Sequence, residues 1–438
     1  MMRGSQAGSG SRRRDVVAPS GPVATLDLGS TKISCVIAEP SEKHLAGQDY
    51  RLSLRVIGVG QTASRGIRNG AIANVEDAER AIRIAVDAAE RMAKQSVRSV
   101  HVNVSGGRPS SISSGAFVRT QTGAVSPRDL ETAVSAAVGK AAIGKRHVLH
   151  LNPVSYSLDG VQTEQPPLGM HGDVLGVEIG IVTLDGAHLR NLNMAVERSH
   201  LKVAGLGLSA YAAARGTLLA DEMSLGTLVI ELGGATTSYA LMRNGNLAAS
   251  GCVGVGASHI TSDVAQGLST ALAHAERLKT MFGSVLPYAQ EDREMLAVPL
   301  LGERGVDSIQ QVPKHVLTAI IGPRLEEIFE LVQAGLAQHA LAAPVSRIVL
   351  TGGGSQLQGL REFVSHVFGC TVRVGLPVFG QGAPEAAKGG GMAVSAGLLA
   401  MALQPDRKLA MPTEALMRIE RQQLGYARRV GRWLKEAI

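Results

Sequence analysis

The stretch Thr227 to Tyr239, TLVIELGGATTSY, joins an apolar run to a carboxylate, a glycine pair and two threonines. Glycine lets backbone N–H groups close on an anion, threonine hydroxyls add donors, and a carboxylate at a strand end can hold a magnesium ion. That combination is phosphate chemistry, with Gly233, Gly234, Thr236 and Thr237 as the cradle and Glu231 as the acid beside it. Read alone, the same residues also describe a buried strand and an ordinary tight turn. A second copy tips the balance. Val23 to Cys35, VATLDLGSTKISC, repeats the grammar with Asp27, Gly29, Ser30, Thr31 and Lys32. Two acidic turns of one design imply two related half-domains facing one ligand. A third turn, RIVLTGGG (Arg347 to Gly354), ends another apolar run in Gly352, Gly353 and Gly354, which let a backbone lie against a flat or phosphorylated ligand.

Other candidates carry less. Gly139, Gly144 and Lys145 have P-loop spacing, yet Arg146 replaces the magnesium-binding hydroxyl and the segment ends a helix instead of following a strand. Cys35, Cys252 and Cys370 lie far apart with no CxxC pair, so neither a disulfide framework nor a thiolate metal site is expected, and a reducing cytoplasm fits. The 12 histidines show no HExxH spacing, and Ser209 lacks the G-x-S-x-G setting of a nucleophile.

The elements that position the three turns follow from patterning. With 438 residues and 45% hydrophobic content, the chain can bury two or more cores. Aromatics are only 3%, so those cores are aliphatic. Strand patterns occur at Lys32 to Ala38 and Arg51 to Gly60, followed by a helix at Val75 to Ala93 with apolar residues at helical spacing. Strands at Val100 to Val104, Phe117 to Thr120 and His147 to Leu151, with a helix at Pro127 to Lys140, read as a self-contained α+β insert. Strand and helix patterns alternate again from Val174, and a long helix spans about 313 to 338.

Charge separates the body from its ends. Residues 1 to 21 carry four arginines against one aspartate, and residues 404 to 438 carry eight basic against four acidic side chains. These two tails account for the whole net charge of +7, so the body is neutral and a nucleic-acid-binding face is not expected. The SRRR at Ser11 to Arg14 is followed by Asp15 and Pro19 instead of an apolar segment, so export is not expected. From Thr413 the tail turns helical. Tyr426, Val430, Trp433, Leu434, Ala437 and Ile438 fall on one face, and Arg428, Arg429, Arg432 and Lys435 on the other. An apolar face bearing the chain's single tryptophan beside a cationic face is the composition of an interfacial helix for anionic lipid.

In order and grammar the three turns, LDLGSTK, ELGGATT and TGGGSQLQGL, resemble the phosphate-1, phosphate-2 and adenosine motifs of the actin, sugar-kinase and heat-shock-chaperone superfamily. Four further segments, Ala63 to Ile82, Arg146 to Gly160, Val196 to Ala213 and Gly431 to Ile438, are similar to the FtsA family of bacterial cell-division proteins; the resemblance covers residues 22 to 438. It implies an α/β, actin-like two-lobed fold with mixed five-stranded sheets and an inserted α+β subdomain. Residues 1–21 would be a disordered arm, with 22–73, 172–222 and 377–403 forming the first lobe and 74–171 the insert. The second lobe would comprise 223–255 with 330–376, and 256–329; 404–425 would be a linker and 426–438 a membrane-targeting helix.

The resemblance also implies ATP between the lobes, with Asp27 near Mg²⁺ through water. Ser30, Thr31, Lys32, Gly233, Gly234, Thr236 and Thr237 would face the phosphates. Gly353, Gly354 and Ser355 would back the adenosine, with Glu276 and Lys279 over ribose and base. Implied partners are FtsZ, with a contact near Arg324, Glu326 and Glu327, further copies of the chain in filaments, later divisome membrane proteins, and the cytoplasmic face of the inner membrane at the division site. The sequence departs from the superfamily at Glu231, usually Asp, and Ala235, usually Gly. A longer carboxylate and an added Cβ imply slow or negligible hydrolysis. Competing readings are a rod-shape or pilus-assembly actin homologue and, further off, a sugar or acetate kinase, which has no use for an amphipathic tail. A chaperone is not expected, since only about 35 residues follow the core.

Overall fold

A computed structural model describes residues 21–41, 49–163, 165–286, 294–302, 309–339 and 345–403. The first lobe contains β1 (Val23–Leu28), β2 (Lys32–Pro40), β3 (Leu54–Ala63), a short β4 (Ile67–Arg68) and β5 (Ala71–Ile72), α1 (Val75–Ala93) and β6 (Ser99–Val104). The insert follows with β7 (Ser110–Arg119), α2 (Pro127–Lys140), β8 (His147–Leu158), β9 (Val161–Thr163) and β10 (Val174–Leu184). The chain returns to the first lobe through α3 (Gly186–Arg198), β11 (Lys202–Leu208) and α4 (Ser209–Thr217). The second lobe contains α5 (Ala220–Ser224), β12 (Thr227–Leu232), β13 (Thr237–Arg243), β14 (Asn246–Val253), α6 (Ala257–Gly267), α7 (Leu272–Phe282), β15 (Met295–Pro299), β16 (Ile309–Pro313), α8 (Lys314–Ala337), β17 (Arg347–Thr351), α9 (Leu360–Phe368) and β18 (Thr371–Val374). Finally α10 (Ala393–Leu403) packs against α4 and β1.

The two lobes repeat one design. Each has a mixed five-stranded sheet, ordered β11-β6-β1-β2-β3 in the first and β14-β13-β12-β17-β18 in the second. In each, a strand with an acid at its last residue but one turns into an antiparallel partner, β1 to β2 and β12 to β13, and lies parallel to a strand from much later in the chain, β6 or β17. The lobes meet at α4 and α10. These helices approach so closely that a Cβ on Gly397 would lie 1.6 Å from the Ala212 carbonyl oxygen.

The insert boundaries differ from the expected 74–171. Helix α1 buries Ala78, Ile82, Ala85 and Ala89 in the first-lobe core with Val100, Val102 and Val104 of β6. A Cβ on Gly60 of β3 would sit 2.0 Å from the Ala85 carbonyl oxygen, so the helix lies directly on the strand backbone. Conversely β10, placed by sequence in the first lobe, is the central strand of the insert sheet β7-β10-β8-β9. Its Leu175, Val177, Ile179 and Ile181 pack on α2, whose N-terminus is closed by a Ser126–Asp129 capping box. The insert is therefore β7 through β10. The Gly139 to Lys145 segment ends α2 there, remote from the cleft.

Candidate nucleotide cleft between the lobes

Strands β1 (VATLDL) and β12 (TLVIEL) carry the same burial pattern: every residue is buried except the acid at the fifth position. Asp27 and Glu231 therefore open toward the space between the lobes, where they line a cavity of about 610 Å³. The turns that follow are also alike. The Gly29 N–H donates to the Lys32 carbonyl at 3.1 Å, and the Gly233 N–H to the Thr236 carbonyl at 2.9 Å. A Cβ at Gly29 or Gly233 would meet those same carbonyls at 2.6 and 2.8 Å, which explains the shared glycine. Across the lobes, a Cβ on Gly234 would strike the Thr31 side chain at 2.3 Å, so the two turns touch.

The third turn closes the cavity from the β17 side. Parallel pairing puts Thr351 beside Glu231, and Gly352 at φ +88° bends the chain where a Cβ would lie 2.5 Å from the Leu232 carbonyl oxygen. Gly353 and Gly354 continue the wall.

Most expected site residues converge here: Gly29, Ser30, Thr31, Lys32, Gly233, Gly234, Thr236, Glu276, Lys279, Gly352, Gly353 and Gly354 all line the cavity with the two acids. Two of the expected residues do not. Thr237 is buried in β13, donating to the Val255 carbonyl at 2.8 Å, and Ser355 is buried, donating to the Gly352 carbonyl at 2.8 Å; both support the wall from behind. Lys279 also has another role than direct contact. Its buried ammonium donates to the Ala257 carbonyl, Thr261 Oγ1 and Glu276 Oε2 at 3.1, 2.8 and 2.7 Å, pinning α6 to α7. Half-exposed Glu276 is thereby held facing the cavity.

Sequence reading missed the floor. Asn103, at the end of β6, accepts the Leu28 N–H at 2.6 Å and donates to Ser209 Oγ at 3.0 Å, and both side chains line the cavity. It also missed Gly390 and Gly391, the latter accepting Lys32 Nζ at 3.3 Å. The glycine run 389–391 was a visible signal, but no strand precedes it.

Electrostatically the cleft is short of positive charge. Burial pushes the Asp27 carboxyl up to about 6, against the pull of the Lys32 ammonium, and burial together with the Asp27 charge pushes Glu231 up to about 8. Burial lowers Lys32 despite Asp27. Two desolvated carboxylates aimed at one space favour a cation between them, and few other ligands are at hand: among the described residues no group of three His, Cys, Asp or Glu comes together. This donor set suits Mg²⁺ that keeps waters and takes phosphate oxygens, as that ion prefers. The sign of the titration is checkable. Both folded-state values are raised, so the stability associated with the protonated acids is present below about pH 4 and lost as pH rises through about 6 and about 8. The melting temperature of nucleotide-free protein should fall between pH 5 and 8.5, and Glu231→Gln should flatten the upper part of that fall in a calorimetric pH series.

A family profile for "Cell division protein FtsA" matches residues 228–397, and one for "SHS2 domain inserted in FTSA" matches 106–183, the span of the insert seen in the fold. Cell division protein FtsA of Rhizobium meliloti is 37% identical over 95% of both chains, and that of Escherichia coli 29% identical over 81% of this chain and 84% of its own. Among solved structures, the PilM-PilN type IV pilus biogenesis complex aligns at TM-score 0.59 with 17% identity, covering 87% of this chain and 98% of that one. MreB5 of Spiroplasma citri bound to ADP aligns at TM-score 0.52 with 14% identity, covering 90% and 99%. These two likenesses establish an actin-like fold and nothing finer. The rod-shape and pilus alternatives thus reduce to shared architecture, whereas sequence identity along nearly the whole chain shows that it belongs to the FtsA family of cell-division proteins.

Proposed function

We propose that the chain is an ATP-binding adaptor of cell division that polymerises on the inner membrane and tethers FtsZ filaments to it, recruiting later divisome membrane proteins. The observation that carries the nucleotide part is the convergence of two matching acidic hairpins, one per lobe, with the glycine turn at 352–354 on a single cavity. In this reading the turns at 29–32 and 233–236 hold the phosphates, the backbone at 352–354 backs the adenosine, and Glu276, steadied by Lys279, faces the ribose and base. Asp27 and Glu231 hold hydrated Mg²⁺, which neutralises phosphate charge when bound. MreB5, whose solved structure contains ADP, supports the reading at the level of fold.

No side chain of the cavity is an evident base for hydrolysis beyond the acids themselves, and Ala235 carries a Cβ where the superfamily has glycine. We therefore expect phosphate release below about one turnover per minute, far under ordinary turnover. Faster release in a phosphate assay contradicts that reading.

The FtsZ contact is assigned to the second lobe near α8, where Arg324 forms a bidentate pair with Asp263 of α6 and also pairs with Glu327, leaving Glu326 exposed. The arm at 1–21, apart from Gly21, the linker at 404–425 and the tail residues Val430, Trp433, Leu434, Ile438, Arg428, Arg429, Arg432 and Lys435 lie outside the described residues. No helix among the described residues is long and apolar enough to cross a membrane. The test is recruitment: FtsZ should pellet with anionic liposomes only when this chain is present with ATP and an intact tail. FtsZ pelleting equally with tail-truncated protein would overturn the tethering role.

A further inference from the structure

We infer that the insert is wired to both walls of the cleft, so that cleft occupancy and the position of the insert set each other; this rests on the nucleotide reading above. The insert packs on both lobes, with His147 against Gly186 among its contacts, and on each side one contact leads to a phosphate turn.

On the first-lobe side the contact is His150 of β8. Its buried ring accepts the Leu208 N–H at Nε2, 3.0 Å away, and packs edge-on against Tyr211 of α4 with centroids 5.2 Å apart. Leu208 immediately precedes Ser209 on the cavity floor. Ser209 accepts from Asn103, which in turn accepts the N–H of Leu28, the residue after Asp27. An insert side chain thus fixes the start of α4, and two further hydrogen bonds reach the first acidic turn.

On the second-lobe side the contact is Gly180 of β10, which lies on β14. A Cβ there would be 2.8 Å from the Leu247 carbonyl oxygen, and Asn244 Nδ2 donates to the Val154 carbonyl at 3.3 Å. Val182 and Leu247 share one core. Strand β14 ends at Val253, and three residues on, at the start of α6, a Cβ on Gly256 would be 2.7 Å from the carbonyl oxygens of both Gly233 and Gly234. The N–H groups of Ala257 and Ser258 donate to those same carbonyls at 2.9 and 2.7 Å. The second phosphate turn is therefore mounted on the start of α6, which directly follows the far end of the strand against which the insert rests. Backbone packed this closely has no slack to absorb a displacement. Coupling is reciprocal, so a partner that holds the insert must also change nucleotide affinity.

Hydrogen exchange of the full chain, read by mass spectrometry with and without Mg·ATP, tests this. Nucleotide should slow exchange in 27–32 and 231–237 and also, by about fivefold or more, in 148–158 and 176–182 of the insert, the low end of ordinary coupling. His150→Phe removes the acceptor but keeps a ring against Tyr211. It should retain the slowing at the phosphate turns while the insert response drops below about twofold. Gly180→Ala, which pushes on Leu247, should weaken the insert response by the other route. Slowing at both turns with an unchanged insert in the wild-type chain overturns the inference and leaves the nucleotide reading standing. No slowing at the turns overturns both, and a wild-type insert response in His150→Phe removes the first-lobe path.

Discussion

Asp27→Ala is expected to weaken Mg·ATP binding by about 10- to 100-fold, the usual cost of removing a group that orients a metal's bound water, in a fluorescence titration with labelled ATP. The residue is one of two acids that open into the cleft from otherwise buried strands, and its carboxyl is raised to about 6 by burial alone. A group held against its own desolvation does not stabilise the empty fold. The same substitution should therefore leave the nucleotide-free melting temperature at pH 8 unchanged or higher, a trade-off familiar at functional sites. Loss of binding together with a large fall in melting temperature would instead mean that Asp27 is structural. Lys32, docked on the Gly391 carbonyl, sits within reach of the same space, so Lys32→Ala should weaken binding less, as loss of a single ammonium contact.

Removing residues 431–438, or changing Trp433→Glu, is expected to abolish co-sedimentation with anionic liposomes. In the proposed interfacial helix, Val430, Trp433, Leu434 and Ile438 would provide apolar insertion, and Arg428, Arg429, Arg432 and Lys435 would meet the lipid charge. Each cation near an anionic surface contributes about 1 kcal/mol, so neutral liposomes should bind far more weakly. A glutamate on the apolar face must enter the interface charged or leave it, and either outcome removes most of the insertion energy. Retained binding by both variants would place membrane attachment elsewhere.

The acidic turns were legible because their chemistry is local. An apolar run, an acid and a glycine occur within seven residues, and two such stretches in one chain carry more weight than one. Helix α1 is legible for the same reason, with its apolar spacing contained within one segment, and the structure adds an Asn74 cap at its start. What escaped depends on distant partners. The alternation in β6 reveals a strand but not that it pairs with β1, so its sequence neighbours alone group it with the insert. Lys279 reads as a helix cation near the ligand, and only packing shows its ammonium enclosed by Ala257, Thr261 and Glu276. Asn103 has no motif around it; its importance comes from reaching Leu28, 75 positions away, and Ser209. Similarly, the glycines at 390 and 391 matter because the returning chain brings them against Gly352 and Lys32.

In the proposed site, one acid from each lobe and the three glycine turns together hold a magnesium nucleotide. Calorimetric titration of preformed Mg·ATP at pH 7.5, repeated in two buffers of different ionisation enthalpy, addresses it most directly. Because Glu231 is raised to about 8 in the empty cleft, it is largely protonated at that pH and must shed its proton when the cation arrives. The expected result is one Mg·ATP per chain, binding that requires Mg²⁺, and net proton release that disappears in Glu231→Gln. Binding that ignores chelation of Mg²⁺ and exchanges no proton, or no binding at millimolar nucleotide, contradicts a magnesium-nucleotide site between these acids.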